Sequence, residues 1–509
     1  MDALGIDIGS TNVKAVLVGR GGTTLAAAHR PLAWERRGEA AEQDADALWT
    51  AVVEALTEVA GTVGPGAMAE VGAIGLCGQY SSIVPVDAGA RPLAPMRLYL
   101  DQRGTAHCLD VLGRHEDAFV TWLERHPIPP VGGGLALGHL LAFQHDEPAV
   151  HERTVAYLEP VDYVTARLTG VLAATQGSAF AGQLVDNRTL GATGYDPDLV
   201  AMAGVDADRL PPLVPVGDVV GTVRAELAAA IGLGPEVPVV TGITDSCAQA
   251  LATGADQPGQ VGVAIGTTGV ILSAVDAFGA DLDHEVLAMP GVRMDRYLVS
   301  AENGIAGRAV EHVLAHLVHA DDALGAHGAA DPFDGFDAAL AASPPGAHGV
   351  RFLPWLSGSM SPQADASMRG GFVGVSFDAR RVDLVRATAE GVAHNLRWLL
   401  DPVEAFTGDA AEQVVLTGGA ARSPAWSQVI ADVLQRPVRT VHEPGHSGAR
   451  AAAVWALGRL GGAAVDEVRL DRAHEPDPAT AEVHARAQAQ FTATFEALRP
   501  LLLGAPPAG

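Results

Sequence analysis

The sequence predicts an α/β protein of two related domains flanking a central cleft. Three observations carry that reading. At 509 residues the chain exceeds a single ordinary core, given about 100–200 residues per domain. Apolar, strand-like runs alternate with helical ones, the pattern of an α/β architecture. A short stretch near the start also returns in the second half. Residues 262–270 lay over residues 5–13, with Gly5, Ile8, Gly9, Thr11 and Val13 matched by Gly262, Ile265, Gly266, Thr268 and Val270. Ser10 faces Thr267 and Asn12 faces Gly269, both mild exchanges.

The first stretch, residues 4–18, is two apolar runs joined by Gly9, Ser10, Thr11 and Asn12, which reads as a hairpin. Turns of small residues expose successive backbone N–H groups beside hydroxyls, as a phosphate chain requires. Asp7 lies in the first hairpin where the second has Ala264. That mismatch suggests a metal-linked carboxylate in the first copy and phosphate holding alone in the second. Lys14, the one lysine in the sequence, is a candidate phosphate contact, a point charge among arginines.

Residues 34–46 are polar and charged and read largely as a loop. Residues 42–56 turn helical, with Leu48, Val52, Ala55 and Leu56 on one face. Residues 71–77 and 83–87 read as strands, the first ending at Gly78, Gln79, Tyr80, Ser81 and Ser82. Polar residues just beyond strands line the ligand crevice of such sheets, and Gln79 and the segment 98–103 fit that placement. Residues 105–235 are helical and loop-rich. Gly132, Gly133 and Gly134 miss the GxGxxG spacing and follow no strand, and there is no GxxxxGK[ST].

Residues 237–246 read as a strand and a turn, followed by a helix over 247–253. The link at 253–260 is the expected domain boundary, giving domains 1–253 and 254–475, with a C-terminal helix and tail over 476–509. A helix over 310–320 carries His312, His316 and His319 on a solvated face, without the HExxH arrangement of a metal site. Residues 321–345 read as a surface excursion. Residues 412–427 read as a strand, a turn at Gly418 and Gly419, and a helix starting near Ser423 and Pro424. Such a helix start can receive a nucleotide's phosphate or sugar edge. After Pro478 an Ala-rich helix and a disordered tail are expected.

Composition sets bounds. Thirty-three basic against sixty acidic residues leave a net charge of −27, a poor field for nucleic acid. With 48% hydrophobic and 18% charged residues the chain is globular rather than disordered. Cys77, Cys108 and Cys247 form no CxxC pair, so neither a disulfide scaffold nor a zinc site is indicated and a reducing cytoplasm is expected. The N-terminus lacks a signal-peptide pattern. The nearest thing to a membrane span, 261–275, is short and broken by glycines.

Asp245 follows a strand end and is flanked by small residues. It is the candidate carboxylate for taking a proton from a hydroxyl, although an Asp before a helix commonly acts as its N-cap.

In their order these stretches resemble the FGGY family of carbohydrate kinases, over roughly residues 3–460. That family belongs with actin, hexokinase and heat-shock chaperones among ATP-binding folds. The resemblance therefore implies two actin-like (ribonuclease H-like) ATPase domains flanking the cleft. Residues 5–14 resemble the first phosphate motif and 265–269 the second. Residues 42–44, Gly78 and Gln79 resemble the sugar-site segments, and 98–103 its W-x-D-x-R element, with Tyr99 in the Trp place. Residues 241–246 resemble the catalytic-aspartate motif, 352–362 the signature segment and 416–424 the adenosine motif.

The resemblance implies ATP and Mg²⁺ as cofactors, with Asp245 as general base and Asp7 organising the metal through water. Gly9, Ser10, Thr11, Asn12 and Lys14 with Gly266, Thr267 and Thr268 would hold phosphates. Gly418, Gly419, Ala420 and Ser423 would border the adenosine. Gln79, Tyr80, Ser81, Asp101 and Arg103, with Asp245, would meet a small-molecule sugar.

The xylulokinase-like branch is nearest, making D-xylulose the leading substrate. Tyr80 and Ser81 stand where that branch usually has Met-His, so another ketopentose, a polyol or a sugar acid also fits. Ser359 and Met360 replace a usual charged pair in the signature segment. No nucleic-acid or membrane partner is expected, and the family allows a homodimer. Among other classes, a chaperone-type ATPase would need a separate peptide-binding domain and a repressor an N-terminal DNA-binding domain, and neither is expected here. A dinucleotide oxidoreductase lacks its fingerprint, and retained Asp7 and Asp245 argue against a silent relative.

Overall fold

The computed structural model describes residues 1–326, 328–329, 331–461 and 468–502. In the first half lie β1 (Asp2–Ile8), β2 (Asn12–Val18), β3 (Thr24–Pro31), β4 (Glu35–Arg37), β5 (Ala40–Gln43), α1 (Ala45–Val63) and β6 (Val71–Gly78). These are followed by β7 (Met96–Arg97), α2 (Ala136–Asp146), α3 (Pro160–Thr169), β8 (Val219–Thr222), β9 (Pro238–Val240), β10 (Ile243–Thr244) and α4 (Asp245–Thr253). The second half contains β11 (Val261–Ile265), β12 (Thr268–Val275), β13 (Ala280–Asp281), β14 (Val286–Pro290), β15 (Tyr297–Ile305), α5 (Gly307–Val313) and α6 (Arg381–Thr407). It closes with β16 (Val414–Gly418), α7 (Pro424–Leu434), β17 (Val438–Val441), α8 (Ser447–Arg459), β18 (Leu470–His474) and α9 (Ala481–Leu502).

Two large mixed sheets result, in the orders β8-β9-β6-β1-β2-β3, with β10 also on β6, and β13-β14-β15-β12-β11-β16-β17-β18. Their centres match. In each, three strands run antiparallel as a meander (β1-β2-β3; β11-β12-β15), and the first then pairs in parallel with a later strand (β6; β16). The central strands are apolar over most of their length because both faces are covered; Leu4, Ile6 and Ile8 are fully buried, as is Ile265.

The hairpin duplication is real but not residue-perfect. Ile8 pairs with Val13, whereas Ile265 pairs with Gly269, so the second hairpin closes one residue tighter. Val270 consequently faces Ala264 rather than Ile265.

The helix from the second half, α8, lies on the first sheet and also packs on α4. Its first two turns are Ser, Gly and Ala apart from Arg450, which lets backbone approach backbone. A Cβ at Gly5 would lie 1.8 Å from the Ala449 carbonyl oxygen, and one at Gly75 1.9 Å from that of Ala452. Only glycine fits at these two sites. A shared apolar cluster, including Cys77, Ile243, Cys247, Leu272, Leu298 and Ala452, joins the halves behind the cleft.

Three local expectations need correction. Residues 34–46 are not mainly a loop: β4 pairs with β5, which pairs with β7. All three β4 residues are exposed, so the segment has no apolar alternation to betray it. The single strand expected over 237–246 is two short ones, β9 and β10, both against β6. The helix over 310–320 is α5 continued by one π-turn at Leu314–Val318, with His312 and His316 exposed as expected. Helix α9 is the one expected after Pro478; the tail beyond it lies outside the described residues. None of the described helices is long and apolar enough to cross a membrane.

Candidate active site

The site is built where neighbouring strands end together. In the first sheet Ile8 pairs with Gly78, and Gly78 with Thr244. The next residues, Gly9, Gln79 and Asp245, therefore emerge side by side at about 5 Å spacing. In the second sheet Ile265 pairs with Gly418, which sets Gly266 beside Gly419. Both rows open at the carboxyl ends of parallel strands, where α/β sheets bind ligands.

The first hairpin turn is tied down from behind. Gly9 N–H donates to the Asn12 carbonyl at 2.9 Å, and the buried Gln43 amide donates to the Ser10 carbonyl at 2.9 Å. Thr11 stays exposed, with Ser10 and Asn12 half-buried. Asp7 faces Lys14 across the hairpin, carboxylate to ammonium 3.9 Å. Burial raises the Asp7 carboxyl, and Lys14, the Cys77 thiol and His446 pull it back. The second turn is held through the Thr267 carbonyl, which accepts from Ala306 N–H at 3.1 Å. It leaves Gly266 and Thr267 exposed, and the space in front of Gly266 is open.

Asp245 is released from capping by its neighbour. Thr244 is the N-cap of α4 and its hydroxyl accepts from Cys247 N–H at 3.3 Å. Asp245 takes the first helical position, with Ser246 N–H donating to its Oδ1 at 2.7 Å. Burial, then the charges of Asp7 and Glu302, push its carboxyl up to about 7. A carboxylate poised near neutrality suits proton abstraction at cellular pH.

Gln79 is buried, and neither its amide nitrogen nor its amide oxygen has a partner. Two orphaned polar atoms at a strand end point to a ligand that completes them. Ser81 adopts a left-handed φ of 62°, and its carbonyl faces His139 Nε2 at 3.1 Å. The buried Glu159 accepts from Ser82 N–H at 3.0 Å. Burial first, then the Glu302 and Asp245 charges, push the Tyr80 phenol well above its ordinary value.

Other expected contacts have different employment. Asp101 is fully buried; it accepts from Ala41 N–H at 2.9 Å and from the Arg103 guanidinium, as close as 2.6 Å. Arg103 also donates to Glu42 at 2.6 Å. Asp101 thus exposes no atom to a sugar and instead orients Arg103. Ser423 caps α7, its hydroxyl accepting from Trp426 N–H at 3.0 Å and donating to Asp337. Ala420 is buried in the second-half core. Gly418, at φ +82°, cannot carry a side chain, because a Cβ would lie 2.4 Å from the Ile265 carbonyl.

Some site residues were missed in the sequence. Glu302, on β15, raises Asp245 and Tyr80 by its charge; a lone acid inside an apolar strand was its signal. Gln249, Ser447 and Gly448 close the cleft's rear. The Thr417 hydroxyl donates to Ser447 at 2.8 Å, the Ser447 hydroxyl donates to Gln249 at 3.1 Å, and a Cβ at Gly448 would lie 3.2 Å from Asp7 Oδ2.

Residues 3–252 match the FGGY family of carbohydrate kinases, N-terminal domain, and residues 264–457 match its C-terminal domain. The chain belongs to the FGGY family of carbohydrate kinases. It is an enzyme of that class, with the family's two-domain, actin-like α/β fold. It is 28% identical over 450 residues to the xylulose kinase of Bacillus subtilis (strain 168), covering 87% of this chain and 85% of that one. It is 25% identical over 464 residues to the gluconokinase of Bacillus licheniformis, covering 90% and 88%. The crystal structure of xylulose kinase from Rhodospirillum rubrum superposes with a TM-score of 0.82 at 29% identity, covering 99% of this chain and all of that one.

Proposed function

We propose that this kinase transfers the terminal phosphoryl group of ATP to a hydroxyl of a small sugar, D-xylulose being the leading substrate. The halves 1–253 and 254–475 act as two jaws, with the 476–509 segment appended. The observation that carries this reading is the row Gly9, Gln79, Asp245. It sets a phosphate turn, a hydrogen-bonding amide without partners, and a proton acceptor at adjacent strand ends.

Asp245 takes the proton of the attacking hydroxyl as the new P–O bond forms. Gln79 and Tyr80 orient the sugar, with Arg103 held beside them by Asp101. The turns at Gly9–Asn12 and Gly266–Thr268 hold phosphates with backbone N–H groups, and Lys14 adds the charge that an acidic protein otherwise lacks. The backbone at Gly418 and Gly419 borders the adenosine. Among the described residues no cluster of three or more His, Cys, Asp or Glu could hold a metal. Asp7 alone fits Mg²⁺ that is held chiefly by phosphates and water, and such an ion neutralises phosphate charge. Phosphoryl transfer needs such positioning and charge neutralisation more than covalent help. The free, buried Cys77, Cys108 and Cys247 suit a reducing cytoplasm.

Asp245→Ala tests the reading. Turnover with D-xylulose falls about 10²–10⁴-fold, while MgATP binding by calorimetry persists. Loss of ATP binding together with turnover would assign Asp245 to structure instead.

A further inference from the structure

The cleft holds a third carboxylate that no motif accounts for. On β15, Leu298, Ser300 and Glu302 share one face by strand alternation. Leu298 packs in the cluster joining the two halves, with Cys247 of α4. Ser300 donates its hydroxyl to Ser246, next to Asp245, at 3.3 Å. Glu302 is two residues further along that face, towards the mouth of the cleft. A β-bulge fixes it there: Val270 faces Glu302 and Gly269 faces Gly304, leaving Asn303 as the extra residue. Asn303 is turned the other way and locked, donating to the Asn395 carbonyl at 2.9 Å and accepting from the Asn395 amide at 3.0 Å. Bulges of this kind re-aim side chains beside active sites.

Glu302 is half-buried and, among the described residues, makes no hydrogen bond or ion pair. Its charge is felt by Asp245, Tyr80 and Tyr99. The groups facing this space from the first half are Gln79, Tyr80, Tyr99 and Asp245, all neutral or anionic. Arg103 is already paired with Asp101 and Glu42, and Lys14 with Asp7. Arg308, exposed, is among the described residues the one cation felt at Tyr99 beside Glu302.

We propose that Glu302 is the acceptor-selecting residue of the second half: it accepts a hydrogen bond from a substrate hydroxyl and excludes an acceptor bearing a carboxylate. The substrate class is then a neutral polyhydroxy compound, a ketopentose or polyol, rather than a sugar acid. The inference rests on the kinase reading with Asp245 as base. An unpaired carboxylate facing the acceptor is a repulsive element, and specificity is built from such elements as well as from attractive ones. A hydrogen bond to a charged group contributes about 10–100-fold in affinity.

The test compares the purified wild type with Glu302→Gln and Glu302→Ala, using MgATP and either D-xylulose, a pentitol or D-gluconate. MgATP binding and thermal unfolding are followed alongside. The wild type is expected to favour a neutral acceptor. Both variants should bind MgATP normally, raise KM for that acceptor about 10-fold or more, and narrow the neutral-to-acid ratio of kcat/KM by a similar factor. A wild type that prefers gluconate, or variants that leave the ratio within twofold of wild type, overturn the Glu302 assignment and leave the kinase standing. ADP release that no acceptor stimulates overturns the kinase reading, and this inference with it.

Discussion

At the scale of single residues, the proposed reaction centres on one carboxylate and the charges around it. In its proposed role Asp245 must be ionised to accept a proton, and a carboxyl pushed up to about 7 would set an acid limb on kcat/KM. Activity should rise with pH up to about 7 with the slope of one proton, then level. Burial raises that value most, and repulsion from Asp7 and then Glu302 adds to it, so Glu302→Gln should move the limb to lower pH; an unmoved limb would mean that Glu302 and Asp245 are not electrostatically coupled. Lys14 gives an independent reading of the phosphate turn, since it is the one ε-amine in the chain. Reductive ¹³C-methylation should label only Lys14 and the N-terminus. MgATP should shift the Lys14 resonance, whereas an unmoved signal contradicts its role as a phosphate contact.

At the scale of elements, the cleft depends on how closely α8 can lie on the first sheet. The missing Cβ atoms of Gly5 and Gly75 allow the carbonyls of Ala449 and Ala452 to enter. Gly75→Ala should destabilise by about 1–3 kcal/mol through overpacking and also impair turnover, since β6 carries Gln79. Gly61→Ala, in α1 with nothing within 4 Å of the new methyl, should instead stabilise by about 0.4–1 kcal/mol. Urea unfolding distinguishes the two, and equal effects would contradict the packing argument. What was legible in the sequence follows the same division. The two hairpins, the strand ends at Gln79 and Asp245 and the start of α7 are local features, written as glycine turns and capping residues. That Thr244 rather than Asp245 caps α4 turned on a choice between neighbours that composition does not make. Asp101 and Ser423 have the right residue types but spend their atoms on Arg103, Ala41, Trp426 and Asp337. Glu302 and Gly448 reach the site only because the second half folds onto the first, which also brings Ser447 to Gln249.

At the scale of the whole molecule, buried histidines make stability depend on pH. His126, His139, His394 and His484 are buried, and burial holds them neutral, with values lowered to about 4, 4, 3 and 4. The unfolded chain protonates near 6.5. Between that pH and about 4 it therefore binds more protons than the folded one, and stability present above about 6.5 is lost as pH falls. Buried carboxyls pushed up by burial, Asp162 to about 8 and Asp245 to about 7, act with the opposite sign, so the histidine part is read as a difference. Relative to His484→Gln, which removes a ring with neither nitrogen bonded, the wild-type urea midpoint should lose ground between pH 7.5 and 5. A difference between the two midpoints that is independent of pH would contradict this account.

The most direct test of the central claim is ADP release from MgATP by the purified chain, over ketopentoses, pentitols, glycerol and sugar acids, each against a no-acceptor blank. The account predicts a low blank and strong stimulation by a neutral acceptor, D-xylulose foremost, that disappears in Asp245→Ala. A high blank that no acceptor raises would contradict it.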